Sequence, residues 1–232
     1  MDWPGPGAGS GRITAGRNDG DVPIRPLSRE LIVARIVDDV RDRAPSRRLR
    51  LAVDGAMGLD PTGWAIAIVD AMRAGGRFAM HVSVRDYLLP ASQRFEFGHD
   101  SPDAFYEGWR DENGLRREVL EPAAPDGSGA VLPALWRTDI DRSARAEYVA
   151  VPADGVVVVS GEFLLGGGLP FEYAMHLTCS AAALARRTPA DDAWTLPAYE
   201  RYAAEVAPET FADLVVRLED PRRPAIAEPD GV

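Results

Sequence analysis

Apolar positions along this chain fall into two kinds of pattern. Near-continuous apolar runs at 49–53, 156–160 and 173–178 have the look of strands buried on both faces, while the stretches between them carry helical spacing. The first helical stretch begins after Ser28, a suitable N-cap, and sets Leu31, Ile32, Val33, Ile36, Val37 and Val40 on one face, with Pro45 and Ser46 ending it. After the run at 49–55 a helix is predicted over about 62–72, closed by Gly75 and Gly76. RFAMHVSV at 77–84 reads as a second strand and 85–99 as a loop. Helical stretches follow near 101–111 and 115–120, where Pro122 stops the pattern. Residues 125–129 (PDGSG) are a turn, and 131–137 is expected to pair with 147–151 as a hairpin. Beyond the strand at 156–160 come a Gly loop at 166–168, a strand at 173–178, helices at 181–187 and 197–206, and a last strand at 214–218. Strands separated by helices predict an α/β fold with a parallel, doubly wound sheet. Residues 1–25, rich in Gly, Pro, Asp and Arg and without periodicity, read as a disordered tail, leaving 26–232 as a single α/β domain.

Composition narrows the function more than the fold. A length of 232 residues suits one core, and a net charge of −10 opposes attraction to nucleic acid or an anionic membrane. No apolar run approaches the roughly 18 residues that a membrane span needs, and no apolar segment before a cleavage site marks a signal peptide. The one cysteine, Cys179, leaves no internal disulfide and no cysteine-based zinc cluster. Together these point to the cytoplasm. Every basic side chain is arginine, since the chain has no lysine. No Schiff base, lysine base or lysine contact to phosphate is therefore available.

That absence bears on LRLAVDGAMGLDPT at 49–62, where an apolar run breaks on glycine and restarts as a helix. A phosphate-binding loop of the form G-x-x-x-x-G-K-[ST] needs two glycines, backbone N–H groups around the phosphates, and a lysine reaching them. Gly55 and Thr62 fit as candidate cofactor-binding residues, but Asp60 stands at the second glycine and Pro61 at the lysine. Pro61 removes the ammonium and its own N–H together, and Asp60 sets a carboxylate against a polyphosphate. The plainer reading is a strand–turn–helix connection: Gly55 for the turn, Asp60 as N-cap, Pro61 at the first helical position.

The order and spacing of LRLAVDG (49–55), SVRDY (83–87), DSPDAFY (100–106), VVVVSGEFLL (156–165), ALARR (183–187) and ADLVVRLEDP (212–221) resemble the uridine kinase/phosphoribulokinase branch of P-loop kinases. The resemblance implies a P-loop NTPase-like three-layer fold with a mostly parallel five-stranded sheet, ATP and Mg²⁺ at the loop after the first strand, and a nucleoside or other small hydroxyl acceptor over the strand ends. It also assigns roles. The acceptor-side carboxylate falls at Arg85, with Asp86 next to it as the candidate catalytic base. The acid ahead of the glycine in the 156–161 strand is Ser160, with Glu162 as a substitute metal-shell acid. Arg186 and Arg187 match lid arginines that clamp phosphate, Arg137 an acceptor-side arginine, and Arg217 and Leu218 replace a polar pair near the base. His81, His99 and His176 show no ligand spacing, so no metal site is expected from them. Phe105, Tyr106 and Trp109 suit either an acceptor pocket or the core. Losses at several separate segments of one reaction lead to one reading, a uridine-kinase-like protein that keeps the fold for binding or regulation, with a small-molecule or protein partner. The alternative is an ATP-dependent kinase with a rearranged, arginine-based site.

Overall fold

The computed structural model describes residues 24–227. Its frame is one sheet of seven strands: β1 (Ile24–Pro26), β2 (Leu49–Gly55), β3 (Ala79–Ser83), β4 (Val156–Gly161), β5 (Tyr173–Thr178), β6 (Leu214–Arg217) and β7 (Ala225–Ala227). They lie in the order β1-β7-β6-β5-β2-β4-β3. The five strands from β6 to β3 run parallel, as expected, with Val53 opposite Ser160 on one side and Met175 on the other. Two short antiparallel strands extend this parallel set, β7 beside β6 and β1 beside β7. At three residues each they are too short to show a period. The tail expected over 1–25 falls outside the described residues, apart from Ile24 and Arg25, which begin β1.

The helices of seven residues or more are α1 (Arg29–Arg43), α2 (Pro61–Ala74), α3 (Pro102–Gly108), α4 (Ala181–Arg187) and α5 (Leu196–Val206), and shorter helical segments at Glu112–Leu115 and Arg116–Leu120 follow α3. Ser28 caps α1 by accepting from the Leu31 N–H at 3.3 Å. Ile32, Val33, Ile36 and Val40 are buried, while Leu31 is 58% exposed. Three successive apolar residues sweep about 200° around a helix, and a buried stripe takes only two of them.

Both faces of the sheet are covered. One core joins α1, α2 and α5 to Leu51, Val53, Val158 and Met175. The other packs residues 115–132 and Val149 against Ala52, Val157 and Val159. With both faces and both edges covered, all seven residues of β2 are buried. Even Arg50 fits there, because it pairs with Glu172 and donates to the Leu120 carbonyl at 3.0 Å. Other arginines pin loops in the same way. Arg48 donates to the carbonyls of Ala124, Gly127 and Val151, and Arg77 to those of Ala44, Arg47 and Asp154. The rigid guanidinium fork makes such multiple contacts possible.

Two expectations need correction. Residues 85–99 are not wholly loop; a 3₁₀ turn at Val84–Tyr87 and a helical turn at Ala91–Arg94 interrupt them. The single hairpin predicted between 131–137 and 147–151 is two separate ladders, Ala130–Val131 with Val149–Ala150 and Trp136–Arg137 with Arg142–Ser143. Pro133 cannot donate to a continuous ladder, and Asp141, at φ 49°, turns the chain back early. No helix among the described residues is long and apolar enough to cross a membrane.

Candidate functional site

The carboxyl ends of β2, β3, β4 and β5 meet under α5, and the loop from β2 to α2 crosses them. Gly55 is needed there for packing, since a Cβ on it would lie 2.8 Å from Leu177 Cβ of β5. A 3₁₀ turn at Met57–Leu59 follows, then Asp60 in the left-handed region at φ 57°, and α2 starts on Pro61. Asp60 folds its carboxylate back over the helix start, where Oδ1 accepts from the Gly63 N–H at 2.9 Å. A Cβ on residue 63 would lie 2.0 Å from Asp60 Oδ2, so the glycine leaves room for the cap. Asp111 and Gly114 repeat the arrangement at 2.7 Å, with the same crowding. The first turn of α2 is thus capped by the protein's own anion, with proline beside it. Gly58 rests on α4, 3.3 Å from Leu184 Cδ1 and 3.4 Å from Arg187 Cβ measured from its ideal Cβ.

Thr62 does reach the strand ends, with Oγ1 3.3 Å from Ser160 Oγ. Ser160 is wholly buried and also lies 2.8 Å from His81 Nε2. Burial pushes the His81 pKa down, because the charged imidazolium would lose its water. The unfolded chain then binds the extra proton more readily than the fold. His81 therefore withdraws stability as pH falls below about 6.5, the ordinary histidine value. We expect acid unfolding of His81→Gln to begin at lower pH than in the native protein, read by circular dichroism across pH 7 to 5. An unchanged onset would show that His81 is not kept neutral by burial.

Asp86, the candidate base, does not join this group. It is half-buried in the turn after β3, burial raises its carboxyl pKa, and its side chain makes no hydrogen bond or ion pair among the described residues. Arg85 is the residue of that turn that reaches the strand ends, where its Nη2 pairs with Glu162 Oε1 at 2.8 Å. Glu162 is only 5% exposed, so this ion pair takes up the carboxylate expected as a metal-shell acid. Beside it Phe105, Trp109 and Phe163 stack edge-on at 5.2–5.3 Å, and Arg110 lies 5.0 Å from the Phe163 ring. The space left among these side chains is about 20 Å³, room for one water. The aromatics of 105–109 therefore act mainly as packing.

The two arginines expected at a lid, Arg186 and Arg187, separate. Arg187 lies against the loop and donates from Nη2 to the Glu219 carbonyl at 2.7 Å, while its Nη1 is buried without a partner. Arg186 is exposed on α4. Arg137 is exposed and paired with Asp139, and Arg217 is exposed beside buried Leu218.

One group was not singled out from the sequence. Asp54, at the end of β2, is wholly buried. Its Oδ1 accepts from the Leu164 N–H at 2.8 Å, and its Oδ2 lies 2.7 Å from His176 Nδ1 and 3.1 Å from the Tyr202 hydroxyl. Tyr202 in turn accepts from the Leu165 N–H at 3.1 Å. A signal was present: an acid within a strand buried on both faces must find donors.

No protein-family model and no curated protein matches the chain. Among solved structures it is similar to a protein of Bacillus stearothermophilus described as a possible uridine kinase, at 17% identity and TM-score 0.64, over 79% of this chain and 96% of that one. It is also similar to a protein of Silicibacter sp. TM1040 described as a candidate fructose transport system kinase, at 20% identity and TM-score 0.59, over 82% and 98%. With five parallel strands and a loop-to-helix crossing at their carboxyl ends, the chain has the P-loop kinase fold of the uridine kinase/phosphoribulokinase type.

Proposed function

We propose that this chain uses the P-loop kinase fold as a binding module and does not transfer phosphate. The observation that carries the reading is the Asp60 carboxylate seated on the Gly63 N–H at the start of α2, where the fold would otherwise receive phosphate oxygens. Mg-ATP does not fit the donor set here. An anion already occupies the helix start, Pro61 stands where lysine would, and Arg85 neutralises the acid nearest the strand ends. The acceptor side is closed by aromatic packing. We read residues 26–232 as one domain working in the cytoplasm. With its negative net charge, its partner is a small molecule or a protein and not a nucleic acid or membrane.

The test is calorimetric titration with Mg-ATP, run beside an Asp60→Gly/Pro61→Lys double variant. We expect no saturable heat from the native protein. Micromolar binding by the native protein would overturn the proposal. Binding by the variant alone would assign the loss to those two residues. Silence from both would place it in the Arg85–Glu162 pair and the aromatic packing as well.

One observation favours the alternative, an ATP-dependent kinase of a small hydroxyl compound with Asp86 as base: the unpartnered Nη1 of Arg187 beside the loop. On that reading Arg187→Ala abolishes a native Mg-ATP affinity that the titration would already have revealed.

A further inference from the structure

Over the ends of β2 and β5, beneath α5, lies a cavity of about 90 Å³. Its wall is mostly apolar, with Leu59, Phe163, Leu184, Tyr199 and Tyr202 supplying rings and branched carbons. His176 is the polar side chain in the wall that the buried network orients. Asp54 holds its Nδ1 side at 2.7 Å and can only accept there, so Nδ1 carries the proton in the neutral ring. Nε2, on the other side of the ring, is then a fixed acceptor to which no protein group donates. Asp54 is itself held by Leu164 and Tyr202, so this orientation does not depend on anything entering the cavity. No arginine borders the cavity, and exposed Glu209 stands at its mouth. An anionic group would meet the Asp54 carboxylate behind His176 and Glu209 in front, and the arginines that act on the wall, Arg186 and Arg187 at Cys179, do not themselves line it. At about 90 Å³ the cavity is about three-fifths of the roughly 150 Å³ that holds benzene, so a single ring is the largest group to consider and part of it would stand in the open mouth.

We propose that this cavity binds a neutral single-ring aromatic or heteroaromatic molecule, which donates an O–H or N–H to His176 Nε2 while its ring packs against Phe163, Tyr199 and Tyr202. The polar recognition stands apart from the nucleotide question, because His176 and Asp54 make none of the phosphate or acceptor contacts, although Leu59 of the β2–α2 loop and Phe163 of the aromatic packing line the cavity.

Phenol, anisole and benzoate serve as probes, matched in ring and differing in donor and charge. Binding is followed by NMR titration of the native protein, with the ¹⁵N shift of His176 Nε2 as a local readout. Phenol should saturate and move Nε2, anisole should bind at least ten-fold more weakly, and benzoate should not bind. His176→Asn, whose amide nitrogen takes the place of Nδ1 and can still donate to Asp54, should remove the preference for phenol over anisole. Ala203→Trp, placed at the exposed mouth, should block phenol without touching the buried network. If His176→Asn does not fold, the native selectivity and Ala203→Trp decide the matter. Equal affinity for phenol and anisole, absence of saturation by phenol, or full phenol binding by Ala203→Trp would each overturn the proposal.

Discussion

Asp54→Ala is expected to remove about 3–5 kcal/mol of folding stability, because it takes the acceptor away from several buried donors at once. The substitution leaves three donors, the Leu164 N–H, His176 Nδ1 and the Tyr202 hydroxyl, facing a space that excludes water. Each such orphan carries its own desolvation penalty of roughly 1–3 kcal/mol, partly relieved as the chain relaxes. For a chain of this size the melting temperature should fall by on the order of 6–20 °C. Urea unfolding of the native protein and variant measures the difference directly. Tyr202→Phe, which deletes one donor to Asp54 and the acceptor of the Leu165 N–H but keeps the ring, should cost less, about 1–3 kcal/mol. A loss below about 1 kcal/mol for Asp54→Ala would show that water reaches the carboxylate and that the network does not fix His176.

Gly161→Ala should also destabilise strongly, by about 2–5 kcal/mol, through a different cause. Residue 161 has φ 152°, a conformation that L side chains rarely adopt, and an added Cβ would lie 1.9 Å from Val84 Cγ1. Backbone strain of this kind costs roughly 1–3 kcal/mol, and forcing a methyl into a packed core a similar amount. Val84 is β-branched and almost wholly buried, so it has no rotamer into which to retreat. It also begins the turn that carries Arg85 to Glu162. A Val84→Ala/Gly161→Ala double variant should recover much of the steric part, although the Cβ of residue 84 still lies 2.8 Å away, and leave the strain. The coupling between the two sites, read from a double-mutant cycle of unfolding free energies, should therefore be favourable by at least 1 kcal/mol. Additive losses would mean that the residues do not press on each other.

Most of the parallel sheet could be read directly because its strands are central. Val156–Gly161 and Tyr173–Thr178 are covered on both faces, so their apolar runs carry the strand signal without help from context. The flanking strands Ile24–Pro26 and Ala225–Ala227 carry no such signal, and the 130–150 excursion is shaped by Pro133 and Asp141 more than by periodicity. At the site, the local part was legible. The D-x-x-G spacing of Asp60 and Gly63 contains its own cap, and the proline at the first helical position agrees with it. The long-range part was not. Gly55 answers to Leu177 across the sheet, Thr62 to Ser160, and Asp54 to Leu164, His176 and Tyr202, which lie 110 to 148 positions away. A sequence pattern of fixed spacing describes what a loop does to its own helix. It does not describe which distant element comes to rest on it.

The way the sheet ends at β1 bears on whether molecules of this protein can add to one another. A long, flat outermost strand offers a row of free N–H and C=O groups that template another chain. Here that flank is a strand of three residues, and its last residue, Pro26, has no N–H to offer. Leu27 directly after it has already donated its N–H to the Pro224 carbonyl at 3.0 Å. Among the described residues an incoming strand would find few donors in register to pair with, so this stretch of the edge is blunted against edge-to-edge polymerisation.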